Sequence, residues 1–250
     1  MSSVNYESNI IEFFKHLSRS LVLDNIKSQY KGDDTLVTNV DIQINDAFHL
    51  FCQKNNINIP IISEENISSW SISGLFPCFV IDPVDGTKEL AKGGSDWSVS
   101  IAYLNSPRID DPLSYGWVYQ LSRDRLFSSS DSEPRKGEPG RDPKLLVSRT
   151  EFSAGIFKGI SSRFNVDVVE MGSIALKLGI LSSGDCDLVI TTRPKSLWDI
   201  AAGVIMLSQS GRHFYQGSPT QQISTFQDEL TYNSPMLFGS DEFVELGVGI

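Results

Sequence analysis

The chain has 250 residues, 40% hydrophobic and 21% charged, a globular composition long enough for one large domain or two small ones sharing a core. A formal net charge of −10 argues against a nucleic-acid polymer as partner, because phosphate backbones attract basic surfaces. No apolar run approaches the ~18–20 residues that cross a bilayer, and the opening Met1-Ser2-Ser3-Val4-Asn5 lacks the basic and apolar regions of a secretory leader, so a cytoplasmic protein without membrane contact is expected.

Ile10, Ile11, Phe13, Phe14, Leu17, Leu21 and Val22 recur at helical spacing and predict an amphipathic first helix. A turn is expected at Lys31-Gly32-Asp33-Asp34, and a second helix along Val40, Ile44, Ala47, Phe48 and Phe51. Ile57 to Ile62 reads as a strand running into Glu64-Glu65, and Phe76 to Ile81 as another that ends at Asp82. From Trp97 to Phe127 the apolar residues alternate, with strands expected near Val99–Tyr103, Tyr115–Leu121 and Arg125–Ser129, an antiparallel meander. Ser128 to Pro143, rich in Ser, Pro, Gly and charge, reads as an exposed loop or linker. Beyond it strand and helix alternate: strands at 145–148, 166–169 and 187–191, helices at 152–164, 173–182 and 197–209, the last closed by Gly211. The segment from Gly217 onward is weakly patterned and carries no assignment. These elements divide into an N-terminal α+β lobe over 1–135 and a C-terminal α/β lobe over 144–250.

Cys52, Cys78 and Cys186 have no paired spacing and apolar neighbours, so buried reduced thiols are expected. With three histidines in the chain, a histidine-based metal site is not expected.

The acids are the informative residues. In Phe79-Val80-Ile81-Asp82-Pro83-Val84-Asp85-Gly86-Thr87 an apolar strand leads into two acids three residues apart. Pro83 fixes φ and removes a donor, which turns the backbone away from the sheet and lets both carboxylates face one space. Gly86 permits close approach of a ligand to the backbone, and a helix starting at Thr87 would aim its first amides at a phosphate. Paired carboxylates are costly unless a cation neutralises them, and all-oxygen ligands favour a hard ion such as Mg²⁺. Read alone, the segment serves equally as an Asx-type turn capping a helix. Glu64-Glu65 after a strand, Trp198-Asp199 in the first turn of an apolar helix, and Asp41 at the start of the second helix add to the metal reading.

Four segments in this order resemble the inositol monophosphatase superfamily: Val37-Thr38-Asn39-Val40-Asp41, Glu64-Glu65, Asp82-Pro83-Val84-Asp85-Gly86-Thr87 and Trp198-Asp199-Ile200-Ala201-Ala202-Gly203. The resemblance implies a layered αβαβα sandwich in the mixed α/β class and hydrolysis of phosphate monoesters with two to three Mg²⁺ ions, most metal ligands lying in the N-terminal lobe. Carried over residue by residue, Glu64, Asp82 and the carbonyl of Val84 are expected on one ion, and Asp82, Asp85 and Asp199 on a second. Asp41 and Thr87 resemble the pair that orients the attacking water, Glu65 a further carboxylate near the metals, and the amides of Gly86 and Thr87 the phosphate hold. A cation lowers the pKa of water and a second one stabilises the leaving oxygen, so no side-chain nucleophile is needed. Sensitivity to Li⁺ is implied, and homodimers are common in the family.

For substrate, Asp85-Gly86-Thr87-Lys88-Glu89-Leu90 looks like the bisphosphate nucleotidase branch, and Thr192 stands seven residues before Asp199, where inositol phosphatases carry a glutamate. Thr192-Arg193-Pro194-Lys195 resembles the nucleotidase loop, and Arg193 or Lys195 is a candidate for a second phosphate. Ser148-Arg149-Thr150-Glu151 resembles a nucleotidase segment in which histidine is usual at the place of Glu151. Gly172-Ser173 resembles the substrate-side pair of both branches. The expected substrate is adenosine 3',5'-bisphosphate or its 2' isomer, with inositol monophosphate or a sugar phosphate as the alternative and a catalytically silent binding protein as a more distant one. A haloacid-dehalogenase reading needs acids two apart, and here they are three apart.

Overall fold

Helix α1 (Tyr6–Ser20) buries Ile10, Phe13, Phe14 and Leu17 along one face, as its spacing requires. The computed structural model describes residues 6–21, 23–32, 35–66, 71–131, 141–218, 221–233 and 235–240. Val22, Asp33, Asp34, most of the expected 128–143 loop and the last ten residues lie outside the described residues.

A hairpin of β1 (Ser28–Tyr30) and β2 (Leu36–Thr38) leads to α2 (Asn39–Lys54), whose N-cap is Thr38. Next come β3 (Ile61–Ser63), β4 (Cys78–Asp85), the short α3 (Thr87–Ala91), β5 (Ser98–Leu104), β6 (Tyr115–Gln120) and β7 (Arg125–Ser128). The first large sheet has the order β3-β4-β5-β6-β7, with β3 parallel to β4 and the expected antiparallel meander completing it.

The second half runs β8 (Lys144–Ser148), α4 (Arg149–Ser153), α5 (Ile160–Phe164), β9 (Asp167–Met171), α6 (Ile174–Ser182), β10 (Leu188–Thr191), β11 (Lys195–Ser196), α7 (Leu197–Gln209), β12 (His213–Gln216), β13 (Thr231–Tyr232) and β14 (Met236–Gly239). Its five-stranded sheet has the order β12-β14-β10-β8-β9, and β9, β8 and β10 are parallel.

Side-chain alternation along the strands shows the layering. Phe79, Ile81, Val99, Ile101, Trp117 and Tyr119 pack with α1 and α2, while their neighbours Val80, Ala102 and Val118 pack with α6 and α7. In the second sheet Leu146 and Val189 join that central core, and Leu145, Val147, Leu188 and Ile190 face Phe157 and Ile160 on the far side. The order is therefore helix, sheet, helix, sheet, helix, the expected αβαβα sandwich. Each buried Leu, Ile or Phe contributes roughly 1.5–3 kcal/mol, so these interleaved faces dominate the stability. Phe48 ties the first layers together, with edge contacts at 5.3 Å to Phe13 and 5.4 Å to Phe79. Helix α7 lies very close on strand β6: a Cβ on Gly116 would lie 2.2 Å from the Ala202 carbonyl oxygen. All three cysteines are buried and free.

Several expectations need correcting. The strand expected over Ile57–Ile62 is only Ile61–Ser63, because Pro60 interrupts it. The helix expected over 152–164 is two five-residue helices, broken where Gly155 and Gly159 adopt φ of +79° and +82°. The strand expected to end at Asp82 continues to Asp85. Among the described residues, no helix is long and apolar enough to cross a membrane.

Candidate active site

A regular strand has period two, which puts Asp82 and Asp85 on opposite faces. The chain avoids this with a bulge. Asp82 pairs with Ser100 but Asp85 pairs with Ser98, so the segment Pro83-Val84 holds one residue more than its partner strand. Both acids then turn to the same side, not because the chain leaves the sheet at Pro83 but because it bulges within it. Together with Asp199 they present carboxylate oxygens within 4.8 Å of one another.

Asp199 comes from the first turn of α7, and Asp41 from the first turn of α2, in matching roles. Each is the third residue of its helix and completes a capping box. One oxygen of Asp199 accepts from the Ser196 amide at 2.8 Å, and Oδ2 of Asp41 accepts from the Thr38 amide at 2.9 Å. The cap fixes each carboxylate and leaves its other oxygen for the site. For Asp41 that oxygen lies 3.2 Å from Thr87 Oγ1, which is also 3.0 Å from the carbonyl of Val84. A hydroxyl has one proton, so Thr87 donates to one of these acceptors at a time and keeps lone pairs for a water. Asp41 is 0% exposed, not on a solvated helix face.

Asp85 is held from the second half of the chain. Its Oδ2 accepts from Ser173 Oγ at 2.6 Å and from the Ala175 amide at 2.5 Å, where α6 begins. Ser173 is the N-cap of that helix and lies 2.9 Å from Ser98 Oγ. Ser173, expected on the substrate side, thus has its hydroxyl on a carboxylate of the cluster. Gly172 is required by close approach: a Cβ there would lie 2.5 Å from Glu89 Cγ and 2.6 Å from the Asp96 carbonyl. Gly86, with φ of +98°, is likewise tight against the chain's own backbone, 3.0 Å from the Asp96 carbonyl for an added Cβ. It is the N-cap of α3, whose first residue is Thr87 as expected.

The electrostatics show a cluster short of positive charge. Burial, with Asp199 beside it, pushes the Glu64 carboxyl up to about 8. Burial and the charges of Glu64 and Asp85 raise Asp82 well above the ordinary range. Burial raises Asp41, and pushes Asp199 up to about 6 even though the Lys195 ammonium opposes it. Carboxylates that raise one another in this way bind a cation in exchange for their protons. The all-oxygen donor set suits a hard divalent ion such as Mg²⁺. Glu64 acts on this cluster through its charge, while Asp82, Asp85 and Asp199 form the tight group.

Glu65 is turned to Lys31, whose ammonium lies 2.8 Å from Glu65 Oε1 and 3.9 Å from Glu64 Oε1. Burial alone would lower Lys31, but the Glu65 hydrogen bond and the charges of Glu64 and Asp41 outweigh it and hold it above its ordinary value. Sequence reasoning missed Lys31, whose only signal is a basic residue in the turn before the Asp41 segment. It also missed Lys177, a lone lysine in the apolar helix α6. Lys177 is 3% exposed, donates to the Gly172 carbonyl at 2.7 Å, and is pulled down to about 8 by burial. Of the two expected phosphate-binding cations, Lys195 bears on Asp199 through its charge, and Arg193 is exposed. Arg149 spans the two halves, donating to Glu89 at 2.7 Å and to Asp96.

The model of the inositol monophosphatase family matches residues 4–234. The 3'(2'),5'-bisphosphate nucleotidase CysQ of Escherichia coli is 26% identical over 202 residues, 76% of this chain and 80% of the relative. Nus factor SuhB of Pasteurella multocida is 30% identical over 206 residues, 75% of this chain and 74% of the relative. Among solved structures, an IMPase/NADP phosphatase complexed with Mg²⁺ and phosphate has a TM-score of 0.77 at 17% identity, covering 99% of this chain and 95% of that one. The extragenic suppressor protein suhB from Bartonella henselae also has a TM-score of 0.77, at 19% identity, covering 98% and 99%. At these identities the structural likeness establishes the sandwich fold, while the family match runs through all four acidic segments. The chain belongs to the inositol monophosphatase family and is a phosphate monoester hydrolase.

Proposed function

We propose that the chain is a 3'(2'),5'-bisphosphate nucleotidase, converting adenosine 3',5'-bisphosphate or its 2' isomer to AMP and phosphate with two to three Mg²⁺ ions. Asp82, Asp85 and Asp199 would hold the ions, with Glu64 and the Val84 carbonyl completing the set. Bound Mg²⁺ supplies Lewis acidity, activating water and neutralising the leaving oxygen. The chain's own residues do the rest. Asp41 and Thr87 hold the water by its protons and aim its oxygen at phosphorus, and Asp41 takes one proton as the new P–O bond forms and the ester P–O bond breaks. The amides of Gly86 and Thr87 hold the phosphoryl oxygens, and Glu65 keeps Lys31 at the edge of the acids. Phosphorus inverts, with no covalent phosphoenzyme.

One observation carries the substrate assignment: the segment before α7 brings Lys195 close enough to act on Asp199, while position 192 presents no acid to a sugar's hydroxyls. A cation beside the catalytic ions suits a second phosphate better than a neutral polyol. The name borne by the CysQ relative supports the same reading. Inositol monophosphate is the second reading, favoured by the family match, and it keeps every residue above in the same role.

The test is phosphate release with Mg²⁺ from adenosine 3',5'-bisphosphate, inositol 1-phosphate and fructose 1,6-bisphosphate in parallel. A kcat/KM for the nucleotide at least tenfold above the others is expected. Preference for either sugar compound overturns the nucleotide assignment.

A further inference from the structure

We propose that Glu151 is a positioning residue for the substrate-side segment Thr192–Lys195, gripping it from behind the site without touching substrate. The proposal rests on the assignment of that segment to the substrate side.

The topology makes the contact. β8 lies between β9 and β10, parallel to both, so the residues after all three strands gather at one edge of the sheet. That edge, outside the carboxyl ends of parallel strands, is where open α/β sheets bind ligands. After β9 come Gly172 and Ser173, after β10 come Thr192 and Arg193, and between them the first turn of α4 brings up Glu151.

Glu151 is 1% exposed, and its carboxylate is occupied by protein donors. Oε1 accepts from the Thr192 amide at 2.5 Å and from Thr192 Oγ1 at 2.7 Å, and Thr191 Oγ1 lies 3.3 Å from Oε2. A carboxylate is this deeply buried only where such donors satisfy it, and here two consecutive residues supply them. The Lys177 ammonium, bonded to the Gly172 carbonyl, feels the charge of Glu151. Glu151 and Lys177 therefore form a buried layer beneath the ends of β9 and β10.

The Thr192 hydroxyl proton is thereby spent inward, at the position from which a substrate hydroxyl would otherwise be held. What the segment offers outward is its conformation and its cations, Arg193 and Lys195. Lys195 opens β11 and is followed by Ser196, the cap of the helix that carries Asp199. Fixing Thr192 fixes the start of this run three residues before Lys195.

The experiment compares wild type, Glu151→Leu and Glu151→Gln on whichever of adenosine 3',5'-bisphosphate and inositol 1-phosphate the wild type prefers, with p-nitrophenyl phosphate as a minimal substrate. A wild-type preference for inositol 1-phosphate would sink the nucleotide assignment and leave this comparison intact. Losing hydrogen bonds to a buried charge corresponds to about 10–100-fold, expected in Glu151→Leu as a raised KM for the large substrate. Its kcat, its Mg²⁺ dependence and its kcat/KM for p-nitrophenyl phosphate should stay within about threefold, since the acids are elsewhere. Glu151→Gln keeps an oxygen for the Thr192 donors and should restore the KM. Equal losses on both substrates would make Glu151 a merely structural residue and overturn the proposal. So would an unchanged KM, or a Gln variant as impaired as Leu. Should Glu151→Leu not fold, Thr192→Val removes the hydroxyl half of the same contact and is expected to raise the same KM selectively.

Discussion

Without a divalent cation, the acidic cluster should make the protein less stable as pH rises. Glu64 goes from 4.5 in the unfolded chain to about 8 in the fold, and Asp199 from 3.8 to about 6. A carboxyl whose folded pKa is raised contributes stability that is full below its unfolded pKa and is lost as pH climbs through the folded one. The window here runs from about pH 4 to about pH 8. Between about pH 5 and about pH 8, integration gives a loss of about 3.5 kcal/mol from Glu64 and about 1.4 kcal/mol from Asp199. The two face one cluster, so their losses do not simply add, and about 4 kcal/mol is expected in all, between the larger single loss and the sum. For a chain of this size that is about 8–16 °C in Tm. Saturating Mg²⁺ neutralises the cluster and removes the slope, so the gain in Tm on adding Mg²⁺ should grow by that amount from the lower to the higher pH. The assay is thermal unfolding with EDTA or millimolar Mg²⁺ across this range, with Glu64→Gln/Asp199→Asn expected to show a clearly smaller slope, the remainder coming from the raised carboxyls of Asp82 and Asp41. An equal Mg²⁺ gain at both ends, or a double variant as pH-dependent as wild type, would refute the reasoning.

Other outcomes follow from particular contacts. Ser173→Ala removes a 2.6 Å hydrogen bond from Asp85 and should weaken apparent Mg²⁺ affinity about 10–100-fold, read by Mg²⁺ titration of activity. Asp41→Asn keeps the cap but removes the proton acceptor proposed for the attacking water, and on that proposal should lower kcat about 10²–10⁴-fold with Tm within a few degrees. Gly116→Ala, whose Cβ would meet the Ala202 carbonyl oxygen at 2.2 Å, should cost about 1–3 kcal/mol or more in denaturant unfolding with the acids untouched.

Much of this architecture was legible because it is written locally. The apolar stripes of α1 and α2 and the uninterrupted runs of α6 and α7 announce buried faces, and the meander β5-β6-β7 announces itself by alternation. The acids were legible as a set of four segments. That Asp82 and Asp85 face one space was legible from Pro83 between them, though the cause is the bulge; the arrival of Asp199 beside them, and of Ser173 on Asp85 from 88 residues away, was not written locally. The rest had weak local signals. β1 is three exposed residues with no pattern to read, and β13 is two residues long. β14 is a four-residue apolar run after Pro235, too short to tell strand from helix without its partners β10 and β12. Lys31 is an ordinary turn lysine until the fold sets it against Glu65, 34 residues away. Glu151 stood out only as a departure from a motif, and its bonds to Thr191 and Thr192 exist only once β8 and β10 lie side by side.

The most direct test of the central claim is inorganic phosphate release from adenosine 3',5'-bisphosphate, measured with and without Mg²⁺ for wild type and Asp85→Asn. The account predicts release that requires Mg²⁺ and falls at least about 10²-fold in the variant, which loses a carboxylate of the cluster. Release that persists in EDTA, or that survives Asp85→Asn, would contradict it.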